Sequence, residues 1–341
     1  MYQVSQQVLD RNLIAKCYEM RKNSLKFVYI LAKECRSHFN LTNIFDRKKF
    51  KILISHRFEI IHYNFSSKTC WDTLYQVSQQ VVNSLGTLGI ITSASLKLYA
   101  RPEIQSAALT SFRSVEDAIK TVVEIFQHSV PMARIEFMDK LSMQICNAYS
   151  KTDYVEEPTL FLEFHGSSLA VEEQIRTVKD ICRSHSGSQL KYAHNANERK
   201  RLWQARHDMH WAIRDYKPNY AYHGTDICVP ISKLPEAINF SQKYFQKIGV
   251  DAPVMGHVGD GNLHCNIYYD PNDHHFNHVQ AAEMLALNAI KLGGTCTGEH
   301  GIGLGKKKLL AQQFGFSGIN TMKMIKGVLD PLNIMNPGKI L

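Results

Sequence analysis

The chain has 341 residues, of which 44% are hydrophobic and 21% are charged, a composition typical of a globular protein with room for two domains. No run approaches the roughly 18 uncharged apolar residues of a membrane-spanning helix, so we expect no transmembrane segment. The net charge of +9 suits an anionic partner, but the basic residues are scattered and follow no known nucleic-acid-binding pattern, which disfavours DNA or RNA.

The cysteines and the first residues bear on the compartment. Eight cysteines form no Cys-x-x-Cys pair, which indicates reduced thiols that serve as small apolar side chains. Acidic residues interrupt the basic residues near the start of the chain, at Asp10, Glu19 and Glu34. This pattern predicts no clear mitochondrial transit peptide.

Residues 1–82 differ from the rest of the chain because they contain neither glycine nor proline. The seven-residue run Tyr-Gln-Val-Ser-Gln-Gln-Val at positions 2–8 recurs at positions 75–81. A single recurrence does not make a repeat array, and we assign this segment no fold. An alternating apolar pattern over 90–98 then predicts a strand that ends at Arg101-Pro102.

Regular elements follow along the rest of the chain. Ser114 and Asp117 predict a helix start, and an apolar stripe at helical spacing continues to Phe126. Further strands are predicted over 132–138, 159–164, 226–230, 252–258 and 263–269, and further helices over 169–182, 198–214, from Ser232 onward, 277–292 and 319–329. Strands that alternate with helices but also form hairpins favour an α+β fold built on a mainly antiparallel sheet.

Two histidines flank a predicted hairpin turn in the segment Gly256–His264. The Gly-Asp-Gly-Asn turn at 259–262 brings His257 and His264 together from adjacent strands, and Asn266 shares the face of His264 because strand side chains alternate. With an acidic third ligand, two histidines make an open metal site. The alternative is a chance pair among sixteen histidines, with His257 serving its own turn.

A glycine-rich loop follows at 293–305, with six glycines in thirteen residues. Such a loop allows the backbone to approach a flat ligand closely. Glu299 and His300 lie in its middle, and adjacent side chains point apart, so one can bind a metal while the other faces a substrate. A phosphate-binding loop is the alternative, but the loop runs into Lys306, Lys307 and Lys308 rather than Gly-Lys-Ser/Thr.

Arg206 lies with Trp203 on the predicted helix over 198–214. A guanidinium group can hold a substrate carboxylate with two hydrogen bonds. A surface salt bridge is the competing interpretation for this arginine.

Three blocks in this order, Gly256–His264, Gly298–Gly303 and Met335–Lys339, resemble the C-terminal half of the FAD-linked oxidases of the vanillyl-alcohol oxidase/PCMH type. That family includes D-lactate dehydrogenase, D-2-hydroxyglutarate dehydrogenase and the glycolate oxidase D subunit. Four further blocks are most similar to its mitochondrial, cytochrome-linked D-lactate dehydrogenase branch: 134–139, 158–166, 202–207 and 225–232. The resemblance covers residues 83–341.

The resemblance implies roles for the residues of the two motifs. His257, His264 and Glu299 would bind a divalent ion, zinc or manganese. Arg206 would hold the substrate carboxylate and Asn266 would line the substrate pocket. His300 would act as the base that takes the hydroxyl proton, for which an imidazole has a suitable pKa.

The resemblance also implies a domain organisation. Residues 83–91 resemble the end of the family's PCMH-type flavin-binding domain, although Asn83 and Leu85 replace the family's glycine and glutamate. We therefore expect 83–100 to be a remnant of that domain, 101–325 to be the substrate or cap domain, and 326–341 to return to the flavin domain. The expected FAD contacts are Gly86, Thr87, Gly89 and Asn336.

The expected activity is FAD-dependent oxidation of D-lactate, or a close D-2-hydroxy acid, to the 2-oxo acid. Electrons would pass to cytochrome c or a quinone-linked acceptor, and the location would be mitochondrial. Alternatives within the family are D-2-hydroxyglutarate and glycolate dehydrogenases. The glycine-rich loops that wrap the flavin pyrophosphate in the family are missing from residues 1–82, so a non-catalytic, metal-binding cap-domain fragment is the alternative from another class.

Overall fold

The computed structural model describes residues 86–89 and 100–341. Residues 1–82 and the strand predicted over 90–98 lie outside these described residues. The described residues form two compact units, one made of 100–300 and the other of 86–89 with 301–341.

One antiparallel sheet organises the unit formed by residues 100–300. It has eight strands in the order β4-β1-β3-β2-β7-β8-β5, with β6 paired to β8, and every pairing between them is antiparallel. The predicted α+β class is confirmed. The strands are β1 Ile104–Ser111, β2 Met132–Met138, β3 Thr159–Gly166, β4 Lys191–Tyr192, β5 Ala221–Gly224, β6 Ile227–Cys228, β7 Val254–Gly256 and β8 Asn262–Tyr269.

Seven α-helices belong to the same unit and an eighth belongs to the other. Among residues 86–89 and 100–341, no helix combines the length and the apolar character needed to cross a bilayer. The helices are α1 Val115–Gln127, α2 Lys140–Ser150, α3 Ser168–Ser184, α4 Ala196–His207, α5 Met209–Tyr216, α6 Leu234–Ile248, α7 His278–Lys291 and α8 Lys307–Leu329.

Helix α1 forms as its sequence predicts. The Ser114 hydroxyl accepts the Asp117 N–H at 3.1 Å and so satisfies one of the backbone donors that a helix start leaves free. Ala118, Ile119 and Val122 of the predicted stripe are fully buried, and Phe126 is partly buried. Local capping and apolar spacing therefore decide this helix.

Two helix predictions were wrong in detail. The single helix predicted over 198–214 is two helices, because the chain breaks at Asp208, which ends α4 and begins α5; aspartate is a poor residue for a helix interior. Ser232 caps no helix, since it lies in a 3₁₀ turn at Ile231–Lys233. Helix α6 begins afterwards with a proline in its first turn, where the missing N–H needs no cap.

Other boundaries also moved, and four elements were missed. The strand predicted over 226–230 pairs only at Ile227–Cys228, and the helix predicted over 319–329 begins at Lys307, with a break at Gly315. Strands β1, β4 and β5 and helix α2 were not predicted. Four successive residues of β1 are buried, so the alternation that marks a half-exposed strand is absent.

The central strands place the candidate site. In the register of β2, β7 and β8, Phe137 lies opposite Gly256 and Met255 lies opposite His264. His257 therefore leaves the end of β7 between its two neighbouring strands. A buried cluster that includes Phe161, Trp203 and Met209 packs α4 and α5 against the sheet.

The N-cap of α2 makes stability depend on pH. Burial raises the pKa of Asp139 to about 6, although its carboxylate accepts the Ser142 N–H at 2.8 Å. The folded state thus binds this proton more tightly than the unfolded chain. The corresponding stability is present below the ordinary aspartate pKa of 3.8 and is lost as the pH rises to about 6.

We predict that Asp139→Asn, which keeps a cap acceptor and removes the buried charge, gains stability over the wild type as the pH rises from about 4 to about 7. The gain should reach up to about 3 kcal/mol in denaturant unfolding. Asp180→Asn, at an exposed position of α3, is the control. A difference between Asp139→Asn and the wild type that does not change with pH would contradict this explanation.

Candidate active site

Two histidines meet across the β7–β8 hairpin. The ring centroids of His257 and His264 lie 5.7 Å apart with the ring planes at 88°. Gly261 in the turn has a φ of +77°, and a Cβ there would collide with the Val229 carbonyl. The tight turn that brings the histidines together thus requires glycine at this position.

Each of these histidines uses its Nδ1 to contact an acceptor. His264 Nδ1 lies 3.1 Å from the Thr225 carbonyl oxygen, and His257 Nδ1 lies 2.7 Å from Glu136 Oε1. A carbonyl oxygen and a carboxylate can only accept, so each Nδ1 carries the proton. In the neutral ring each Nε2 then keeps a lone pair, which is the form that binds a metal.

Both Nε2 atoms face Glu299. Its Oε1 lies 3.1 Å from His264 Nε2 and 3.5 Å from His257 Nε2, and the three ligand atoms lie within 4.8 Å of one another. Two imidazole nitrogens and one carboxylate oxygen are a donor set that catalytic zinc sites use, with a further position left for substrate. The residues therefore fit a divalent ion.

The two histidines have different electrostatic surroundings. Burial lowers the pKa of His264 below its ordinary value, which favours the neutral ring. The hydrogen bond to Glu136 raises the pKa of His257 and outweighs its partial burial. Glu136 therefore orients the His257 ring and also favours its protonated form.

Asp226 holds the loop that carries Glu299 and His300. Its carboxylate is buried, and Oδ2 accepts the Thr297 hydroxyl at 2.7 Å and the N–H groups of Glu299 and His300 at 2.9 and 2.8 Å. Oδ1 accepts the Asn262 amide at 2.8 Å. One carboxylate thus fixes the backbone that presents the predicted acidic ligand and the predicted base.

His300 lies against the same cluster. Its ring stacks on His264 with centroids 5.2 Å apart and planes at 16°, and its side chain is exposed. Ligand atoms of Asp226, His264 and His300 form a second group within 4.8 Å. Glu299 therefore faces both predicted histidine ligands, whereas His300 faces His264 and Asp226.

Arg206 lies in a cavity of about 330 Å³, within the size range of small-molecule sites. Its side chain is 9% exposed and its Nη2 donates to Glu136 Oε2 at 2.9 Å, so Arg206 forms a salt bridge, but a buried one rather than the surface salt bridge of the competing interpretation. Arg206 Nε and Trp203 Nε1 are buried donors without a hydrogen-bond partner among the described residues. The cavity is lined by Arg134, Glu136, Trp203, Arg206, His207 and His257.

A buried N–H group without a partner has lost its hydrogen bonds to water and gained none within the protein. Unpartnered donors of this kind therefore point to an acceptor on a ligand. A carboxylate would supply acceptors for Arg206. The amide nitrogen of Asn266 is also buried without a partner among the described residues, although Asn266 does not line this cavity.

The predicted flavin contacts lie in the other compact unit. Gly86 has a φ of +72°, and a Cβ there would lie 3.2 Å from the Asn336 side-chain nitrogen. Buried Lys326 donates to the Thr87 carbonyl at 3.0 Å and to the Met335 carbonyl at 2.8 Å. Lys326, which the sequence did not single out, thus ties the segment 86–89 to the C-terminal turn.

Two functional residues were missed because their signals are weak in the sequence. Glu136 and Asp226 each lie in a block that resembles the family, but neither stands in a recognisable metal or catalytic pattern. Glu136 is 121 positions from His257 and Asp226 is 74 positions from His300. Only the folded sheet brings these partners together.

Residues 101–340 match the family model described as FAD linked oxidases, C-terminal domain. The chain belongs to the FAD-linked oxidase family. The chain is 46% identical over 271 residues to a Danio rerio protein named probable mitochondrial D-lactate dehydrogenase, a match that covers 78% of this chain and 54% of the relative. It is 35% identical to the mitochondrial D-lactate dehydrogenase (cytochrome) of Arabidopsis thaliana, covering 78% of this chain and 47% of that protein.

The chain therefore spans about half the length of these relatives. Among solved structures, the 4-ethylphenol oxidase from Gulosibacter chungangensis superimposes with a TM-score of 0.55 at 15% identity, over 72% of this chain and 55% of that chain. At that identity the likeness concerns the fold alone, and it agrees with the antiparallel α+β architecture.

We predict that Asp226→Asn loosens the loop 297–300, because an amide group cannot accept all the hydrogen bonds that the carboxylate accepts. At least one buried donor is left without a partner, which should lower the free energy of unfolding by about 1–3 kcal/mol. Hydrogen exchange at the Glu299 and His300 amides should accelerate. Asp260→Asn, in the exposed hairpin turn, is the control, and unchanged exchange at both amides would refute the assigned role.

Proposed function

We propose that this chain forms the substrate-binding part of an FAD-dependent dehydrogenase that oxidises D-lactate, or a close D-2-hydroxy acid, to the 2-oxo acid. The observation that carries the proposal is the convergence of His257 Nε2, His264 Nε2 and the Glu299 carboxylate, with His257 and Arg206 lining one cavity. The names of the Danio and Arabidopsis relatives support the substrate class and a mitochondrial location.

A divalent ion, zinc or manganese, would be held by His257, His264 and Glu299. When bound, it would lower the pKa of the substrate hydroxyl and fix its orientation. The Nδ1 contacts of both histidines already hold their rings with Nε2 towards Glu299, so little reorganisation is needed to receive an ion.

The chain's own groups would then bind the substrate and move its proton. Arg206 Nε donates to the substrate carboxylate, while Nη2 stays on Glu136. The Asn266 amide donates to a second substrate oxygen, and a ring nitrogen of His300 takes the hydroxyl proton. Gly86, Thr87, Gly89 and Asn336 would hold FAD, which when bound would supply the acceptor for the hydride from the substrate carbon.

The remaining organisation is also a proposal. Residues 83–100 belong to the end of a flavin domain, 101–325 form the substrate domain, and 326–341 return to the flavin. Electrons would leave the flavin for cytochrome c or a quinone-linked acceptor, and the name of the Arabidopsis relative supports the cytochrome.

The direct test is flavin reduction by the full chain reconstituted with FAD and manganese or zinc. We predict that D-lactate, but not L-lactate, bleaches the oxidised-flavin absorbance. His300→Ala should slow this by about 10²–10⁴-fold because the proton acceptor is lost, whereas His128→Ala, at the exposed end of α1, should not.

Two outcomes would contradict the proposal. Bleaching at the wild-type rate in His300→Ala would remove the role of that histidine. A chain that takes up metal but retains no flavin would favour the non-catalytic, metal-binding fragment instead.

A second substrate deserves the same assay because Arg134 lines the cavity with Arg206. The Arg134 guanidinium lies 5.0 Å from the Trp203 ring centroid and forms no salt bridge within residues 100–341. A second cation in the cavity suits the distal carboxylate of D-2-hydroxyglutarate. A higher kcat/KM for that acid than for D-lactate, lost in Arg134→Ala, would identify it as the substrate.

A further inference from the structure

Glu136 lies between the two halves of the candidate site. Its Oε1 contacts His257 Nδ1 at 2.7 Å and its Oε2 accepts from Arg206 Nη2 at 2.9 Å. Each carboxylate oxygen therefore serves a different partner. One partner is a proposed metal ligand and the other is the proposed binder of the substrate carboxylate.

The backbone holds Glu136 firmly in this place. It lies on β2 between Ile135 and Phe137, which are 5% and 0% exposed. Its own side chain is 15% exposed, so water screens its charge poorly. Rotation of the carboxylate towards solvent would break both contacts at once and leave Arg206 as a buried, unpaired cation.

We infer that Glu136 is a positioning residue that couples the ion site to the anion site, an inference that rests on the proposed function. Towards the ion, it fixes the His257 proton on Nδ1 and keeps Nε2 as a donor to the metal. On the anion side, Glu136 accepts from Nη2 of the Arg206 guanidinium group. The unpartnered Nε then remains for the substrate carboxylate.

A carboxylate that bonds the far nitrogen of a metal-binding histidine orients the ring and increases the basicity of the ligand nitrogen. The same carboxylate lies beside Arg206, and its negative charge offsets part of the attraction of Arg206 for an incoming anion. Removing Glu136 should therefore weaken binding of the ion and alter binding of the acid, whereas an ordinary structural salt bridge would change neither beyond its effect on folding.

The test titrates Zn²⁺ into the full chain in competition with a chromophoric chelator. We expect Glu136→Ala to weaken Zn²⁺ binding by about 10–100-fold. Glu136→Gln keeps the size and one acceptor for His257, and it should weaken binding less than alanine does. The matched control is Glu124→Gln, because Glu124 also pairs with a histidine, His185, between helices α1 and α3.

A second readout begins with the wild type alone. In the metal-free wild type, ¹⁵N-histidine NMR should show His257 with its proton on Nδ1. Zn²⁺ binding should then shift Nε2 most strongly, and D-lactate should bind with a different Kd in the zinc-loaded chain and in the zinc-free chain. In Glu136→Gln this difference should shrink.

The outcomes separate this inference from the proposed function. If the wild type binds Zn²⁺ and His257→Ala weakens binding but Glu136→Ala and Glu136→Gln do not, the role of Glu136 is overturned and the metal site stands. If the His257 proton lies on Nε2, the role is overturned even where a variant fails to fold. If the wild type binds no Zn²⁺, the metal site and this inference fail together.

Discussion

One buried carboxylate accepts hydrogen bonds from two consecutive backbone N–H groups, and the candidate site depends on this constraint. Asp226 holds the Glu299 and His300 amides in a loop whose glycines would otherwise leave it many conformations. Because the same carboxylate also binds Asn262 at the start of β8, the loop is fixed relative to the strand that carries His264. One side chain thus positions the proposed ligands Glu299 and His264 and the proposed base His300.

The charged groups of the candidate site are arranged on two sides. Glu136 faces Arg206, and Glu299 faces the neutral His264, whose pKa burial lowers. The arrangement leaves the carboxylate of Glu299 and two imidazole lone pairs on one side, and the Nε of Arg206 on the other. The first side would suit a divalent cation and the second a carboxylate anion, the pair of charges that the proposed function requires.

Sequence reasoning predicted the parts of this site that local patterns encode. The hairpin glycines and period-two alternation were enough to bring His257 and His264 together, and Ser114 correctly marked the start of α1. Glu136 and Asp226 could not be found in this way, because their partners lie far along the chain and meet them only through the sheet register. The break at Asp208 was missed because a single aspartate within a long helical segment is a weak signal, although aspartate is a poor residue for a helix interior.

The central claim is that two histidines and one glutamate bind a divalent ion, and Zn K-edge X-ray absorption of the zinc-loaded full chain tests it most directly. The account predicts nitrogen and oxygen neighbours at about 2.0–2.2 Å with the multiple scattering of imidazole rings. The chain has eight cysteines, and zinc bound by their thiolates would show sulfur neighbours instead. Sulfur neighbours at about 2.3 Å, or a shell of oxygens without imidazole scattering, would contradict the account.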